Sequence, residues 1–183
     1  MTEPTTAKIR LLGDPALRVV SRPIEDFNDP EFRANARLLQ RTLADFRRRH
    51  GFGRAVSAPQ IGVAQRFIAI DLGDGPALVV NPEIIWQSGR RFTMWDDCMS
   101  FPDLLVRLER DASLSLRFQD ERGDFREWTE LDLPTAELLQ HEIDHLDGVL
   151  AVDRALDRDA LVLRENFTAD YEYYKKQVDY VIY

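Results

Sequence analysis

The residues of this chain best suited to chemistry are two histidines and a glutamate in the pattern H-E-x-x-H, namely His141, Glu142 and His145. Residues four apart lie one turn above each other on an α-helix, so both imidazoles project from one face and can share a metal ion. The glutamate lies about 100° around the helix, where its carboxylate can reach a metal-bound water. Because short motifs also arise by chance, the alternative is a histidine pair on a half-exposed helix.

A catalytic metal site of this kind generally takes three protein ligands and leaves one position open. The third histidine of the chain, His50, falls at the end of a different predicted helix. The single cysteine, Cys98, is the best remaining soft donor, and as a thiolate it would complete a Cys/His/His site. Three carboxylates compete for this role, although helix-terminal or outer positions suit them better: Asp144, Asp147 and Asp153.

Length and composition indicate one soluble domain. Of 183 residues, 44% are hydrophobic and 31% are charged, which suffices for a sizeable core. The formal net charge of −8 argues against general affinity for nucleic acid or an anionic membrane. No apolar signal region or membrane-length run is evident, and a single cysteine excludes an intrachain disulfide framework. We therefore expect a cytoplasmic protein.

Two helices must position these residues. Asp29-Pro30 predicts the start of the first, and Gly51 its end. Its apolar residues recur at helical spacing: Phe32, Ala36, Leu39, Leu43 and Phe46. The basic run at residues 47–50 is interpreted as a solvated helix end rather than a phosphate site. The second helix, from about Pro134 to Leu146 with Gly148 as terminator, carries both metal-site histidines.

Between the helices the sequence predicts a loop and a series of short strands. Small residues and a Pro-Gln-x-Gly ending mark residues 54–62 as the irregular loop. Turns are expected at residues 73–76 and at Asn81-Pro82. Alternation of apolar residues predicts strands at 66–72, 77–81, 84–87, 104–108, 114–118 and 124–131, the last two forming a hairpin.

This order of elements predicts an α+β fold. We expect a single domain over residues 1–183, with antiparallel strands packed around a central H-E-x-x-H helix and with an N-terminal helix. Beyond residue 157 the chain is interpreted as partly helical over residues 161–176 and strand-like over residues 178–183. Residues 157–183 form a C-terminal extension to which the sequence assigns no role.

Three ordered segments of the chain resemble the peptide deformylase family. The family pattern is a G-x-G-L-A-A-P-Q-x-G loop, an E-G-C-L-S segment and a Q-H-E-x-D-H-L-x-G helix end. This chain has GRAVSAPQIG at residues 53–62, DDCMS at residues 96–100 and QHEIDHLDG at residues 140–148. Order and spacing agree, and the likeness covers roughly residues 8–157.

The resemblance implies an enzyme that removes formyl from the N-terminal methionine of new polypeptides. It implies one divalent ion, Fe(II) foremost with Zn or Ni as alternatives, held by Cys98, His141 and His145. The ion would bring the pKa of its bound water toward neutrality. Glu142 would take the proton of that water and pass it to the leaving amine, so that formate and a free amine result.

The resemblance also implies two donors for the tetrahedral oxyanion, the side-chain amide of Gln60 and the backbone N–H of Met99. The alternative for Gln60 is a loop glutamine that satisfies local backbone groups. Ser100 is interpreted as structural, because a metal hydroxide needs no serine nucleophile. Gln140 is expected to orient the site from outside the ligand shell.

The chain departs from the family pattern around the substrate. By resemblance Gly53, Arg54, Ala55 and Asp97 line the extended peptide, with Arg54 beside the methionine side chain. Ala55 and Asp97 stand where the pattern has glycine, Arg54 replaces an apolar residue, and Asp96 replaces a glutamate. We hypothesise that the Arg54 guanidinium pairs with the added carboxylate across the mouth of the cleft, and that deformylation persists with lower efficiency.

Three alternatives remain open at this stage. The first is a deformylase-like paralogue that acts on a different formylated peptide or amine. The second is an H-E-x-x-H endopeptidase that uses a distant carboxylate and does not need Cys98. The third is a non-catalytic metal-binding or ribosome-associated module. Expected partners are an N-formylated peptide and a transient ribosome contact, without nucleic acid or membrane binding by the chain itself. The tail offers only Lys175-Lys176 as a basic pair.

Overall fold

Two antiparallel sheets contact the helix that carries both histidines. The structure, a computed structural model, describes residues 6–73 and 75–182. One sheet has the strand order β1-β2-β3-β6-β7, and the other has the order β4-β5-β8. The strands are β1 (Ala55–Ser57), β2 (Phe67–Ile70), β3 (Ala77–Gln87), β4 (Arg91–Asp97), β5 (Leu104–Asp111), β6 (Leu114–Gln119), β7 (Phe125–Trp128) and β8 (Leu161–Leu163).

The helices lie before, between and after these strands, so the predicted α+β fold is confirmed. They are α1 (Pro30–His50), α2 (Leu133–Leu146), α3 (Arg164–Ala169) and α4 (Tyr171–Lys175). Short 3-10 turns cover Pro15–Arg18, Ala58–Ile61 and Ala151–Arg154. A helix with the length and apolar character needed to cross a membrane does not occur among residues 6–73 and 75–182.

The bounds of α1 follow from its caps, as the sequence predicts. The Asp29 side chain accepts hydrogen bonds from the backbone N–H groups of Glu31 and Phe32, at 3.1 and 3.4 Å. Pro30 occupies the first turn, where its missing N–H leaves no bond unmade. Gly51 ends the helix in the left-handed conformation (φ 78°), and its N–H donates to the Arg47 carbonyl at 2.8 Å.

Helix α2 is buried along most of its length, from Ala136 to Leu146. The Asp132 side chain caps it by accepting from the Thr135 N–H at 3.1 Å. Just beyond the helix, Gly148 has φ 72°, and a Cβ there would lie 2.6 Å from the Arg18 carbonyl oxygen. Glycine is therefore required both by the turn and by the close approach of another backbone segment. Apolar residues of α2 pack on strands of the larger sheet: Ala136, Leu138, Leu139, Ile143 and Leu146.

The structure corrects two predictions between the helices. Residues 54–62 are not an irregular loop, because they contain β1 and the 3-10 turn Ala58–Ile61. Asn81-Pro82 is not a turn, because β3 continues through it with a register shift between Val80 and Glu83. Asn81 has φ 51°, and its side chain holds both backbone groups of Ile24 at 2.8 Å. This local bulge lets the strand pass a proline. The Asp74 part of the turn expected at residues 73–76 lies outside the described residues.

The other differences concern β4 and the chain end. Strand β4 was not predicted, yet it pairs with β5 along its whole length and ends immediately before Cys98. In the C-terminal extension, the start of the part expected to be helical is instead β8 (Leu161–Leu163) on the edge of β5, and α3 and α4 follow it. Residues 178–182 form no strand beyond an isolated bridge between Tyr180 and Met94, so that prediction was wrong there. Tyr183 lies outside the described residues.

Candidate metal centre and active site

Three soft donors meet between α2 and the end of β4. One ligand atom from each of Cys98, His141 and His145 lies within 4.8 Å of the others, and all three residues are buried. The Cys98 Sγ lies 3.2 Å from the His145 Nε2. Tetrahedral coordination with bonds of about 2.0–2.3 Å places donors roughly 3.3–3.7 Å apart. The cluster therefore fits a divalent metal ion with one position open for water.

The competing carboxylates point away from this cluster. Asp144 accepts from Arg110 and Arg154, each at 2.6 Å. Asp147 pairs with Arg66, and Asp153 pairs with Arg18. Because each carboxylate is engaged by an arginine, the Cys/His/His set is the one that the geometry assembles.

Asp96 orients the first histidine. Its Oδ2 lies 3.0 Å from the His141 Nδ1, an arrangement that leaves the Nε2 of that ring toward the cluster when Nδ1 carries the proton. Arg110 donates to the same carboxylate oxygen at 2.9 Å. Burial raises the pKa of Asp96, but the charges of His141 and Arg110 outweigh it and hold this pKa well below the usual range. Asp96 is thus a charged acceptor for the imidazole N–H.

The two histidines have unlike electrostatic environments. Burial lowers the pKa of His141, but the charges of Asp96 and Cys98 outweigh it and raise that pKa well above its usual value. Burial and the neighbouring His141 charge lower the pKa of His145. The surroundings thus favour the protonated form at His141 and the neutral form at His145, and metal binding requires both rings to be neutral.

Glu142 lies beside the cluster and is buried, which raises its pKa. Its carboxylate contacts the Ser57 hydroxyl closely, and its main-chain oxygen lies 2.9 Å from the same Oγ. Ser57 therefore links β1 to the residue that follows the first histidine. Ser57 stands where the family pattern has alanine, and the sequence alone assigns it no role.

Gln60 faces the cluster with its amide nitrogen. The Nε2 lies 3.5 Å from the Cys98 Sγ and 3.3 Å from the Ser100 Oγ. Its carbonyl oxygen accepts from the Ser57 N–H at 2.9 Å. One end of the side chain thus satisfies local backbone, as the alternative interpretation expected, and this bond aims the other end at the site. Gln140 instead binds the Asp111 backbone, tying α2 to β5 rather than touching the cluster.

A cavity of about 520 Å³ opens from the cluster. Its walls include all of the residues predicted to line the substrate, namely Gly53, Arg54, Ala55 and Asp97, together with Met99. A Cβ at Gly53, which has φ 111°, would lie 2.8 Å from the Met99 Cε, so the two walls approach closely. Among residues 6–73 and 75–182, the Met99 N–H has no hydrogen-bond acceptor.

The hypothesis that Arg54 pairs with the added carboxylate at Asp97 is wrong. Arg54 forms its ion pair with Glu137 on α2 and donates to the Pro134 carbonyl at 2.8 Å. Asp97 pairs instead with Arg164 of the C-terminal extension, at 2.8 Å. The reason is that Glu137 is buried beside Arg54, whereas Asp97 is partly exposed. Leaving a buried carboxylate unpaired costs more free energy than leaving an exposed one unpaired.

Two contributors to the cavity were missed by sequence reasoning. Glu137 lies one turn before His141 on the same face of α2, a spacing that could have revealed it. Burial raises the pKa of Glu137 to about 7 although Arg54 opposes this. The C-terminal extension adds Arg164 and Ile182 to the lining. The sequence gives no signal that these two residues line the cavity. They reach it because β8 pairs with β5 and brings the C-terminal extension to the site.

The sequence profile of the family described as polypeptide deformylase matches residues 6–160. The chain belongs to this polypeptide deformylase family. It is 39% identical to a peptide deformylase of Thermotoga neapolitana over 158 residues, covering 86% of this chain and 92% of that protein.

Solved peptide deformylases share the fold. The enzyme from Thermotoga maritima superposes with a TM-score of 0.73 at 36% identity, covering 83% of this chain and 99% of its own. The one from Legionella pneumophila gives 0.75 at 31% identity, with 94% and 96% covered. The one from Synechococcus elongatus, in complex with actinonin, gives 0.73 at 31% identity, with 86% and 85% covered. The deformylase reading of the sequence is confirmed, and the comparisons favour it over the paralogue, endopeptidase and non-catalytic alternatives.

Proposed function

We propose that this peptide deformylase hydrolyses the N-formyl group of N-formylmethionyl peptides of nascent proteins and releases formate. The observation that carries the proposal is the convergence of Cys98, His141 and His145 beside a buried glutamate, at the inner end of a peptide-sized cavity. Family membership supports the reaction class.

Cys98, His141 and His145 would hold one divalent ion. We propose Fe(II), with Zn or Ni as alternatives, because a thiolate and two imidazoles suit all of these metals. Bound there, the ion supplies Lewis-acid polarisation and activates water. Asp96 keeps the His141 ring turned toward the cluster through the 3.0 Å contact with Nδ1.

Glu142 moves the proton. Its carboxylate would accept a proton from the attacking water and deliver it to the amine nitrogen as the carbon–nitrogen bond breaks. Burial raises its pKa, which brings this group closer to the pH at which it must both accept and release a proton. The buried position also keeps bulk water from competing for that proton.

Gln60 and Met99 would stabilise the oxyanion that forms from the formyl carbonyl. The Gln60 Nε2 is already aimed at Cys98, and the Met99 N–H adjoins the same residue. Donors that are fixed in advance need no reorganisation when charge develops, and loss of one typically costs about a hundred- to a thousandfold in turnover.

The peptide would lie extended along residues 53–55. Strand β1 is the edge strand of its sheet, so main-chain groups on the side away from β2 are available to pair with an added strand. Residues 97–99 form the opposite wall. The site of action would be the cytoplasm, where a new polypeptide still carries its formyl group, with at most transient contact with the ribosome.

Formate release from a formyl-Met tripeptide by the metal-loaded protein tests the proposal. The acetyl-Met peptide of identical sequence serves as the substrate control. Glu142→Gln should abolish most turnover, whereas Glu127→Gln, at an exposed glutamate of β7, should leave it intact. Absence of formate from the loaded wild-type protein would refute the proposed function.

A further inference from the structure

The Ser57 hydroxyl bonds to a residue of α2. Ser57 is fully buried, ends β1 and occupies the N-cap position of the 3-10 turn Ala58–Ile61. An N-cap serine normally accepts a hydrogen bond from the turn that it precedes. In this turn the Gln60 side chain bonds back to the Ser57 N–H, as in a capping box. The hydroxyl points across to α2.

Both polar partners of that hydroxyl belong to Glu142. The Oγ is in close contact with the carboxylate oxygen Oε2 and lies 2.9 Å from the main-chain oxygen. A hydroxyl carries one proton, so it donates to one of these oxygens at a time. Within residues 6–73 and 75–182, no other side chain hydrogen-bonds to this carboxylate. Among the described residues, Ser57 is therefore the side chain that holds this carboxylate by a hydrogen bond.

The backbone N–H of Ser57 holds the Gln60 side chain. The Ser57 N–H donates to the side-chain oxygen Oε1 of Gln60 at 2.9 Å, and this bond turns the side-chain nitrogen Nε2 toward Cys98. A glutamine or glutamate that is not held samples several rotamers. A displacement of about 1 Å at a reacting group can cost roughly a hundredfold in rate.

We infer that Ser57 is a positioning residue for the proposed deformylase reaction. Its hydroxyl holds the Glu142 carboxylate beside the metal-binding cluster, while its backbone N–H orients the Gln60 amide. The inference rests on the proposed function and adds a residue at which the family pattern has alanine. It follows that this chain fixes its proton carrier by a contact that an alanine cannot make.

Ser57→Ala separates the two links, because it removes the hydroxyl and keeps the backbone N–H. With a formyl-Met peptide we expect kcat to fall about ten- to a hundredfold and KM to stay within about twofold. Metal content per chain should be unchanged. The matched control is Ser113→Ala, since the Ser113 Oγ also donates to a main-chain carbonyl, that of Leu131 at 2.7 Å, away from the site. The control should retain wild-type kcat.

A double-mutant cycle distinguishes positioning from a general structural role. Glu142→Asp shortens the side chain out of reach of Ser57, so adding Ser57→Ala should cause little further loss. An additive loss would show that the hydroxyl acts otherwise than through the carboxylate and would overturn the inference. Unchanged or increased kcat in Ser57→Ala would do the same.

A crystal structure of metal-free Ser57→Ala provides a readout that does not depend on turnover. We expect the Glu142 carboxylate to move by about 1 Å or more, while the Gln60 amide stays in place. A carboxylate that keeps its wild-type position contradicts the inference. An inactive wild-type protein would refute the proposed function alone, because the displacement in the crystal can still be measured.

Discussion

Arg54 and Glu137 form an ion pair in the wall of the cavity that leads to the Cys/His/His cluster. The Glu137 side chain is only 2% exposed, and the Arg54 side chain is 32% exposed. Arg54 stands where the family pattern has an apolar residue, the position predicted by resemblance to lie beside the substrate methionine. If that prediction holds, a methionine side chain in this cavity meets the charged atoms of the pair rather than an apolar wall.

Replacing the whole pair should improve the fit of formyl-Met peptides. For Arg54→Ile combined with Glu137→Leu, we expect kcat/KM to increase about tenfold, since apolar contacts of methylene size are worth about 1–3 kcal/mol in such pockets. Steady-state assays on formyl-Met and formyl-norleucine peptides provide the measurement. A double variant no better than wild type would show that the substrate side chain does not contact the pair.

The single variant Arg54→Ile should destabilise the fold. It leaves the buried Glu137 carboxylate without its cation, and the free energy of unfolding should fall by about 1–3 kcal/mol. Urea denaturation of the metal-free protein measures this. Arg117→Ile is the matched control, because Arg117 pairs with Glu127 in an exposed ion pair and should change stability little.

Glu137 also predicts a pH dependence of stability. Its pKa rises from 4.5 to about 7 on folding, so the folded protein binds the proton more tightly than the unfolded chain does. The contribution of this group is therefore fully present below pH 4.5 and is lost as the pH rises through about 7, on the order of 3 kcal/mol in total. Glu137→Gln should flatten this part of the stability profile relative to wild type. Glu127→Gln should not, and equal slopes in all three proteins would contradict the assignment.

Metal content tests the ligand set directly. Cys98→Ser should lose most of its bound metal after dialysis, because a serine hydroxyl replaces the thiolate. His50→Ala should keep its metal, since His50 stacks on Phe46 at the end of α1 and lies outside the ligand cluster. Elemental analysis of anaerobically purified proteins gives both values. Retention of metal by Cys98→Ser would instead point to a carboxylate as the third ligand.

The parts of this site that the sequence predicts are those with local signals. Caps at Asp29 and Gly51 define α1, and the four-residue spacing of His141 and His145 places both rings on one face of α2. Cys98 could be predicted as the third metal ligand because it is the single cysteine of the chain. What escaped prediction depends on contacts between distant segments. The Arg54 partner is one example, because it depends on how β1 approaches α2.

The structural roles of Asn81-Pro82 and Ser57 also depend on contacts with distant segments. Asn81-Pro82 resembles a turn locally, but Asn81 holds the N-terminal segment at Ile24, and β3 accommodates the pair as a bulge. Ser57 replaces an alanine of the family pattern in a segment of small residues, which gives no local signal of a role. Its hydroxyl acquires a partner only when α2 brings Glu142 to the end of β1.

The contact with Asp96 should control the orientation of the His141 ring. Asp96→Asn removes the negative charge that accepts from the Nδ1–H, while keeping the size of the side chain. Loss of such a partner typically costs about ten- to a hundredfold in metal affinity, and competition with a chelator measures it. Asp97→Asn is the matched control, because the neighbouring Asp97 pairs with Arg164 rather than with a histidine. Equal affinities of the two variants would mean that Asp96 serves Arg110 and the strand it belongs to, and that the metal alone orients the His141 ring.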